Sequence, residues 1–389
     1  MSFSVSAGDK EVLQQVYGLI LDNYIDNVEI SSIFNPTFKA LETLDKDVKI
    51  ILEKKTVTIY YKGKMHKIYS RPKDEKDAKK WGEFTAYLLE EIKKISPKLE
   101  HKDFELVEVM LYHGIKDFDK NCHYYPTLEI GQEKEKIQGY NSSILDNNVL
   151  YIRLGTINDF TKKSFIETMK EGKDIKGIIL DLRGNKGGYL KQALEITDSF
   201  ISEGVMIYSQ GKETEKQKTY VASEGEFYKN IPMIIIVDGK TASAAEVIVQ
   251  TLREHNRAQI IGAQTYGKDT VQNIYRLENG GYISLTTEQF IGSRKIPIND
   301  IGIRPNVCSE VFSESSDIDE MLEYTYNFVC PKLARHSTYE VDVAMRILEK
   351  EMSKEKTVEE KNIQKATVRE GTFQKETVQK KTSQEETVE

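Results

Sequence analysis

The stretch KGIILDLRGNKGGYL, residues 176–190, carries the clearest fold signal in this chain. It opens with an almost unbroken apolar run, passes through a glycine-rich turn at 184–188, and continues as a helical pattern to about residue 203. A strand that is apolar on both faces has to be covered on both faces, as central parallel strands are. The stretch therefore predicts a strand–turn–helix unit of an α/β sheet.

Three further apolar runs repeat this arrangement on either side of it. They are VLYIRL (149–154), IPMIIIVD (231–238) and AQIIGA (258–263). Residues 243–256 show a helical pattern between the last two runs, and 270–290 are typical of a β-hairpin around an Asn-Gly-Gly turn. Strands that alternate with helices predict an α/β fold with a largely parallel sheet covered by helices.

The region before the first of these strands is predicted to be mainly helical. Apolar residues recur at helical spacing in 9–45, 84–96 and 103–117. Residues 56–69 are rich in β-branched and aromatic residues and predict a small β-hairpin within this helical region.

The end of the chain repeats a five-residue unit, as in TVREG (367–371) and TFQKE (372–376). Residues five apart fall on different faces of a helix and of a strand, so neither element gains a continuous apolar surface. We predict a disordered pentapeptide-repeat tail over 353–389, with a segment that folds on a partner as the alternative. The chain thus divides into a mainly helical region with a small β insertion (1–147), an α/β core (148–352) and this tail.

The composition indicates a soluble globular protein without a general affinity for nucleic acid. The 389 residues are 39% apolar and 30% charged, with a net charge of −7. No apolar run reaches the length of a membrane span, and no signal peptide is visible, which favours the cytoplasm over the periplasm. The three cysteines are widely spaced without a CxxC pair, so we expect reduced thiols, no disulfide and no zinc site.

Ser243 is the first candidate catalytic residue. It follows the 231–238 run and an Asp238-Gly239 turn and opens the next helix, so its hydroxyl is expected at the edge of the sheet. The N–H of Ala244 would then help to bind an oxyanion. Ser243 and Glu246 also form a capping-box pattern that only satisfies the first helical turn. This segment alone favours the cap.

A serine nucleophile needs a base, and Lys268 is placed to supply one. It lies between the 258–263 strand and the β-hairpin, and Gly267 before it allows a close approach of the backbone. The amine must be neutral to accept a proton, which burial in an apolar pocket would achieve by lowering its pKa. Gln272 would hold the amine by an uncharged hydrogen bond. Taken alone, Lys268 is more simply a surface lysine in a turn.

Histidine chemistry and phosphate binding are weaker alternatives. His255 lies twelve residues beyond Ser243 on one predicted helix, which separates them by about 18 Å of helical rise. The turn at 184–188 has the strand–turn–helix arrangement of a phosphate loop, but it matches neither the dinucleotide-binding nor the Walker pattern. A backbone N–H at Gly187 or Gly188 suits an oxyanion hole equally well.

Together these segments resemble the C-terminal processing (tail-specific) protease family. LRGNKGG (182–188) resembles its arginine–asparagine–double-glycine turn, TASAAE (241–246) its serine–alanine repeat, and GKDTVQ (267–272) its lysine segment. The 25 residues between Ser243 and Lys268 match its serine-to-lysine spacing. The resemblance, which runs from about residue 10 to 351, implies a crotonase-like α/β core.

The resemblance also implies a serine endopeptidase that cleaves protein or peptide substrates near their C-termini, without a metal or another cofactor. Family members usually carry a PDZ domain, but the interval from Tyr125-Pro126 to Val149 is too short for one. An adaptor or a homo-oligomer stays open as a route for substrate delivery. The implied site comprises Ser243, Lys268 and Gln272 as catalytic residues, and Gly187, Gly188 and Ala244 as the oxyanion hole.

Two other functions remain open at this point. The missing PDZ domain and the repetitive tail also suit an inactive peptide-binding scaffold on the same fold. Paired oxyanion donors also suit a crotonase-type enzyme acting on acyl thioesters, but Lys268 and Gln272 would then have no role. Labelling by a serine-reactive fluorophosphonate separates the peptidase from the scaffold, and thioester turnover tests the third hypothesis.

Overall fold

The computed structural model describes residues 7–100, 103–126, 139–213, 216–309, 330 and 339–354. Almost all of the predicted tail lies outside these residues. None of the described helices is long and apolar enough to cross a bilayer. In chain order the helices are α1 (Ala7–Asn23), α2 (Ile30–Lys39), α3 (Ala78–Ile95), α4 (Pro97–Glu100), α5 (Asp103–Phe118), α6 (Asp159–Glu171), α7 (Leu190–Asp198), α8 (Ala244–Glu254) and α9 (340–354). The strands are β1 (Val48–Leu52), β2 (Thr56–Tyr61), β3 (Lys64–Ser70), β4 (His123–Tyr125), β5 (Tyr140–Leu145), β6 (Val149–Leu154), β7 (Gly177–Asp181), β8 (Val205–Gly211), β9 (Lys218–Val221), β10 (Met233–Val237), β11 (Gln259–Gly262), β12 (Thr270–Arg276), β13 (Tyr282–Gly292) and β14 (Val307–Cys308).

The chain divides into two compact units, each built from separated stretches of sequence. Unit 1 consists of Met1–Gln132, Ile207–Tyr220 and Asp269–Asn299, and unit 2 of Glu133–Met206, Val221–Lys268 and Asp300–Glu389. The division predicted from the sequence uses continuous ranges, 1–147, 148–352 and 353–389, whereas each unit combines separated stretches. The sequence-based division stays a prediction.

The helices of unit 1 surround a core of large buried side chains. Phe34, Phe38 and Trp81 are completely buried, with ring centroids 5.0 Å apart for the two phenylalanines and 5.3 Å apart for Phe34 and Trp81. Leu13 and Ile20 of α1 belong to the same core. The predicted N-terminal helices and their apolar face are therefore confirmed.

Two antiparallel sheets complete unit 1. Lys62 and Gly63, with φ angles of 49° and 75°, form the tight turn between β2 and β3, as a two-residue hairpin turn requires. This confirms the hairpin predicted over 56–69, and β1 adds a strand that the sequence did not suggest. The second sheet is built on the predicted β12–β13 hairpin, with β4 and β8 also paired to β13.

A six-stranded sheet in the order β14-β11-β10-β7-β6-β5 forms the centre of unit 2. All neighbouring strands are parallel except β5, which is antiparallel to β6. Every residue of β7 and β10 is buried, as central strands covered on both faces require. On one face, α9 buries Ala344 and Leu348 in a cluster with Ile179 and Ile234. The predicted α/β fold with a largely parallel sheet is confirmed.

The cysteines correct one expectation from the sequence. Cys308 and Cys330 form a disulfide with a Cα–Cα distance of 5.6 Å, so the prediction of three reduced thiols was wrong for this pair. The pairing of β14 with β11 places Cys308 opposite Gly262, and the Sγ of Cys330 lies 3.3 Å from the Gly262 carbonyl. A separation of 22 residues carries no local sequence signal for this meeting. Cys122 is free and buried, as expected.

Candidate active site

The three segments predicted to carry the chemistry meet at one edge of the unit 2 sheet. The glycine turn follows β7, Ser243 follows β10 and Lys268 follows β11, and these are three neighbouring parallel strands. The carboxyl ends of adjacent parallel strands lie side by side, where α/β sheets bind their ligands. Ser243 therefore lies between the glycine turn on one side and the lysine segment on the other.

Ser243 has a backbone conformation that residues other than glycine rarely adopt. Its φ is 56° and its ψ is −124° at the junction between β10 and α8. Ordinary N-cap residues have β-region dihedrals, and Asn158 at the start of α6 is one, with a φ of −146° and a side chain that accepts the Thr161 N–H. Ser243 thus departs from ordinary cap dihedrals, although the capping box with Glu246 that its own segment favoured is formed. A strained residue on a sharp strand-to-helix turn is typical of an exposed nucleophile.

A buried carboxylate joins the serine segment to the lysine segment. Glu246 Oε2 accepts the backbone N–H groups of Ser243 at 2.9 Å and of Lys268 at 2.8 Å. Its Oε1 accepts the backbone N–H of Gly267 at 2.7 Å and the hydroxyl of Thr265 at 2.5 Å. Glu246 is completely buried, so these four donors replace the water that would otherwise solvate the carboxylate.

The protonation of Glu246 is coupled to the geometry of both segments. Burial raises the pKa of its carboxyl above the ordinary value, and hydrogen bonds from Thr265, Lys268, Gly267 and Ser243 oppose that rise. A protonated carboxyl has one acceptor position fewer, so at least one of these donors would lose its partner. Sequence reasoning assigned Glu246 only a capping role, because its other partners lie about twenty residues further along the chain.

Asn185 holds the glycine turn against the nucleophile segment. Its side-chain amide donates to the Leu154 carbonyl at 2.9 Å, and its Oδ1 accepts the Gly187 N–H at 2.8 Å. Its backbone carbonyl accepts the Ala242 N–H at 2.9 Å. Asn185 is completely buried. It therefore links the end of β6, the glycine turn and the residue before Ser243.

Neither glycine of the turn has room for a side chain. At Gly187, where φ is 95°, a Cβ would lie 2.9 Å from the Ala244 nitrogen and 3.0 Å from the Ser243 Cβ. At Gly188, where φ is 148°, it would lie 1.9 Å from the Ile157 carbonyl oxygen. Both positions therefore require glycine, and the backbone of the turn packs directly against the serine.

The N–H groups predicted for the oxyanion hole differ in their surroundings. Gly187 lies beside Ser243 and Ala244, and Gly188 follows it in the same turn, packed against Ile157. However, the Gly187 N–H already donates to the buried Asn185 side chain. Ala244 is the first residue of α8, where an N–H has no partner within the helix. The geometry therefore favours Gly188 with Ala244 as the pair of donors.

Lys268 is partly buried and follows Gly267, whose φ is 88°. Its backbone is fixed on both sides, because Glu246 accepts its N–H and the Gly267 carbonyl accepts the Asp300 N–H at 2.9 Å. The serine and lysine segments are thus joined through one side chain, as their predicted pairing requires.

Gln272 lies in unit 1, on β12, and its predicted contact with the lysine stays a prediction. Its Nε2 donates to the hydroxyl of Thr270 at 3.0 Å and to that of Thr286 at 3.3 Å. The Thr286 hydroxyl in turn donates to Asp119 Oδ2 at 2.7 Å. Because this hydroxyl gives its proton to a carboxylate, it has to accept from Gln272, which fixes the orientation of the amide.

A buried ion-pair cluster lies next to the glycine turn. Arg183 donates to Asp181 at 2.9 and 2.5 Å and to Glu340 of α9 at 2.6 Å. Burial alone would raise the pKa of Asp181, but Arg183 and Tyr151 hold it below its ordinary value. Arg183 directly precedes Gly184, so the cluster anchors the turn to α9. Sequence reasoning gave Arg183 no separate role, and no local signal connected it to a residue of α9.

Other chemistries find less support among the described residues. His255 is the C-cap of α8, and its Nε2 hydrogen-bonds to the Val205 carbonyl at 2.9 Å, so the length of α8 separates it from Ser243. No group of three or more His, Cys, Asp or Glu side chains suited to a metal ion occurs in the described part of the chain. Burial, with Asp119, raises the pKa of Cys122 to about 12, so this thiol stays protonated at neutral pH.

Comparison with known proteins agrees with this geometry. Residues 148–309 match the family model of peptidase family S41, and this range contains the glycine turn, Ser243, Glu246 and Lys268. Over these residues the chain is similar to peptidase family S41. The resemblance predicted from the sequence motifs is thereby confirmed, and the S41 match covers the part of the chain where those motifs lie.

Relatives of this S41 core are named after C-terminal processing. The carboxy-terminal-processing protease of Bartonella bacilliformis is 34% identical over 175 residues, which are 43% of this chain and 40% of that protein. Carboxy-terminal processing protease CtpA of Bacillus subtilis is 32% identical over 186 residues, 47% of this chain and 40% of its own. A solved photosystem II D1 C-terminal processing protease shows 22% identity and a TM-score of 0.37 over 55% of this chain and 54% of that one. This chain thus spans less than half the length of these two curated relatives.

Proposed function

We propose that this chain is a serine endopeptidase that acts through Ser243 and Lys268. The Ser243 Oγ attacks the carbonyl carbon of a peptide bond, and the neutral Lys268 Nζ accepts the hydroxyl proton. When the tetrahedral intermediate collapses, the C–N bond breaks and Lys268 returns the proton to the leaving amine. Water, activated by the same lysine, then hydrolyses the Ser243 ester and releases the new C-terminus.

The observation that carries the proposal is the carboxylate shared by the two segments. A glutamate that served only as a helix cap would need to bond the N–H of Ser243 alone. Glu246 also accepts the N–H groups of Gly267 and Lys268, which lie on another strand-to-loop junction. Together with the strained φ of Ser243, this arrangement supports a serine and a lysine that have to keep a fixed separation.

Stabilisation of the oxyanion falls to two backbone N–H groups in this proposal. Gly188 offers one from the glycine turn, and Ala244 offers the other from the start of α8. Such preorganised donors stabilise the charge that develops on the carbonyl oxygen, and loss of one donor typically costs about 10²–10³ in kcat. The buried bonds of Asn185 support this role, because they hold the turn against the serine.

Gln272 is proposed to support the amine of Lys268, four residues before it in the chain. Because an amide is uncharged, its oxygen can accept from the amine without favouring the ammonium form as a carboxylate would. The hydroxyls of Thr270 and Thr286 hold the Nε2 side of this amide.

Substrates are proposed to be proteins or peptides cleaved near their C-termini. The names of the relatives carry this activity, and we extend it to this chain on the basis of the shared S41 core. The short interval between β4 and β5 leaves little room for a PDZ domain, although residues 127–138 lie outside the described part of the chain. Delivery by an adaptor or within a homo-oligomer is therefore part of the proposal.

Two substitutions test the catalytic roles directly. Ser243→Ala and Lys268→Ala should each abolish cleavage of casein, measured by mass spectrometry of the fragments, while circular dichroism shows an intact fold. Matched controls are Ser143→Ala, an exposed serine on β5, and Lys191→Ala, a lysine with 82% of its side chain exposed on α7. Full activity in either site variant would refute the proposal. A wild-type protein that neither cleaves nor reacts with a fluorophosphonate between pH 6 and 10 would instead favour the peptide-binding scaffold.

A further inference from the structure

Large apolar side chains that remain exposed in unit 2 are concentrated around Ser243. Among the described residues of this unit, six such side chains are more than a third exposed, and four of them lie on segments bonded to the site, three on loops and one at the start of α6. The six are Ile144, Phe160, Tyr189, Val221, Tyr266 and Ile301. Apolar side chains that stay exposed beside a candidate active site are typical of a binding surface.

Two of these side chains lie on the glycine-turn side of Ser243. Tyr189 directly follows Gly188 and is 63% exposed, while its backbone N–H donates to the Ile157 carbonyl at 2.9 Å. Phe160, which is 42% exposed, lies three residues beyond Ile157 at the start of α6. The backbone of this surface is therefore fixed, while its aromatic rings face solvent.

The other two lie on the lysine side. Tyr266 is 51% exposed, and its backbone N–H donates to the Thr241 carbonyl at 3.0 Å, two residues before Ser243. Ile301 is 57% exposed and follows Asp300, whose N–H donates to the carbonyl before Lys268. A second apolar surface is thus fixed on the opposite side of the nucleophile.

An extended peptide at Ser243 would pass both surfaces. The glycine turn and the lysine segment follow the strands on either side of β10, so the two tyrosines flank the nucleophile. Consecutive residues of an extended chain advance by about 3.3 Å, so side chains close to the cleaved bond fall within reach of both rings. Aromatic rings contribute large contact areas at a low entropic cost.

We propose that Tyr189 and Tyr266 determine specificity by contacting apolar side chains of the substrate on the two sides of the cleaved bond. This inference rests on the proposed peptidase function and deepens it. It identifies the substrate class as peptides with apolar residues flanking the bond that is cut. The backbone carbonyl and N–H groups do not distinguish such residues, so the preference falls to the exposed rings.

The experiment compares Tyr189→Ser and Tyr266→Ser with wild type. Quenched fluorescent peptides are built around a bond that wild type cleaves in casein, with leucine or serine at the residue before the bond or the residue after it. Ile144→Ser is the matched control, because Ile144 is 55% exposed but pairs with Leu150 near the amino end of β6, at the other end of the sheet. A second arm measures binding of the same peptides, carrying a fluorescein label, to Ser243→Ala by anisotropy.

Wild type should prefer leucine to serine by about tenfold or more in kcat/KM on each side of the bond, the range expected for an apolar pocket. Each tyrosine variant should lose that preference on one side only, mainly through KM. The control should behave as wild type.

The inference is overturned if both variants keep the wild-type preference, or if wild type shows none. If wild type cleaves nothing, the peptidase proposal fails, and the binding arm is run with fluorescein-labelled casein peptides that carry leucine or serine at one central position, which still decides the role of the tyrosines. Weaker binding of leucine peptides when Tyr189→Ser or Tyr266→Ser is added to Ser243→Ala would support the apolar surfaces. Unchanged binding would reject them.

Discussion

Replacing Glu246 by glutamine is expected to slow peptide cleavage strongly while leaving the protein folded. The carboxylate accepts two hydrogen bonds on each oxygen, one pair from Ser243 and Lys268 and the other from Gly267 and Thr265. An amide has an acceptor oxygen on one side only and presents N–H donors on the other. At least one backbone N–H of the site then faces another donor.

The magnitude follows from which side the amide oxygen takes. If its NH₂ group faces Thr265 and Gly267, the hydroxyl can rotate to accept, and the Gly267 N–H alone loses its partner. A hydrogen bond to a charged group contributes about 1.5–3 kcal/mol to stability. The neutral amide of glutamine costs less to bury than the carboxylate does, and this difference offsets part of any further loss of hydrogen bonds. We expect the free energy of unfolding to fall by about 2–4 kcal/mol. Because a displacement of about 1 Å in a catalytic geometry can cost about 10²-fold, kcat should fall by at least that factor.

The assay combines unfolding by urea with cleavage of a quenched peptide under saturating substrate. Glu254→Gln is the control, because Glu254 is also a buried carboxylate on α8, accepting from Gln250 at 2.9 Å, and it lies at the end of the helix opposite Ser243. It should lose stability with little change in kcat. A folded Glu246→Gln variant with wild-type kcat, or equal loss of kcat in the control, would refute the positioning role.

Three further predictions concern the disulfide, the buried acid and the glycine turn. Removing the Cys308–Cys330 bond with Cys308→Ser should lower the free energy of unfolding by about 3 kcal/mol in urea titrations, and an unchanged unfolding midpoint under oxidising conditions would contradict this. Because disulfides persist in oxidising compartments, mapping the bond in protein taken from cells also tests the expected cytoplasmic location. Because the pKa of Asp181 is lowered in the folded state, its contribution to stability is present above its ordinary value of 3.8 and is lost as the pH falls through the folded-state pKa. Asp181→Asn should therefore weaken the fall in the free energy of unfolding at acidic pH, and an unaltered fall would count against the ion pair. Gly187→Ala should reduce kcat by about 10²-fold or more because its Cβ would clash with the nucleophile turn, whereas Gly184→Ala, with a φ of 73° and nothing within 4 Å, reports backbone strain alone; equal losses in both variants would remove the steric explanation.

The central strands could be predicted from the sequence because burial on both faces leaves a uniform apolar run. β7 and β10 are buried at every position, and both were visible as such runs. β5 has the opposite character, since it is an edge strand in which exposed and partly buried residues alternate, so its sequence gave no strand signal. The helix α6 was missed although the capping box of Asn158 and Thr161 at its start could have revealed it.

The two-unit organisation could not be predicted, because it depends on pairing between distant stretches. The β12–β13 hairpin was visible from its turn, but nothing local shows that β13 pairs with β4, where Ile283 lies opposite Tyr124. The same holds for β8, whose residues 207–211 pair with the end of β13. Hydrophobic periodicity shows which face of an element is buried. It does not show which distant element packs against that face.

The candidate site was predicted as three motifs, and the structure adds the bonds that hold the motifs together. The glycines, the serine and the lysine each follow an apolar strand, so their meeting at one sheet edge could be inferred. Glu246 and Asn185 were part of the quoted motifs but had no assigned function as links, because their partners lie 19 to 31 residues away in sequence. A buried polar side chain that bonds several loops is recognised only when those loops are seen together.

The position of Glu246 sets a condition on the proposed base. A negative charge near an amine stabilises the ammonium form, and only the neutral amine of Lys268 can take a proton from Ser243. A carboxylate offers about four acceptor positions, and Glu246 already receives four donors, three of them backbone N–H groups. The charged amine would therefore gain no direct hydrogen bond from it. Glu246 therefore positions the two segments through their backbones, and the proposed support of the amine by an uncharged amide, that of Gln272, agrees with a base that has to be neutral.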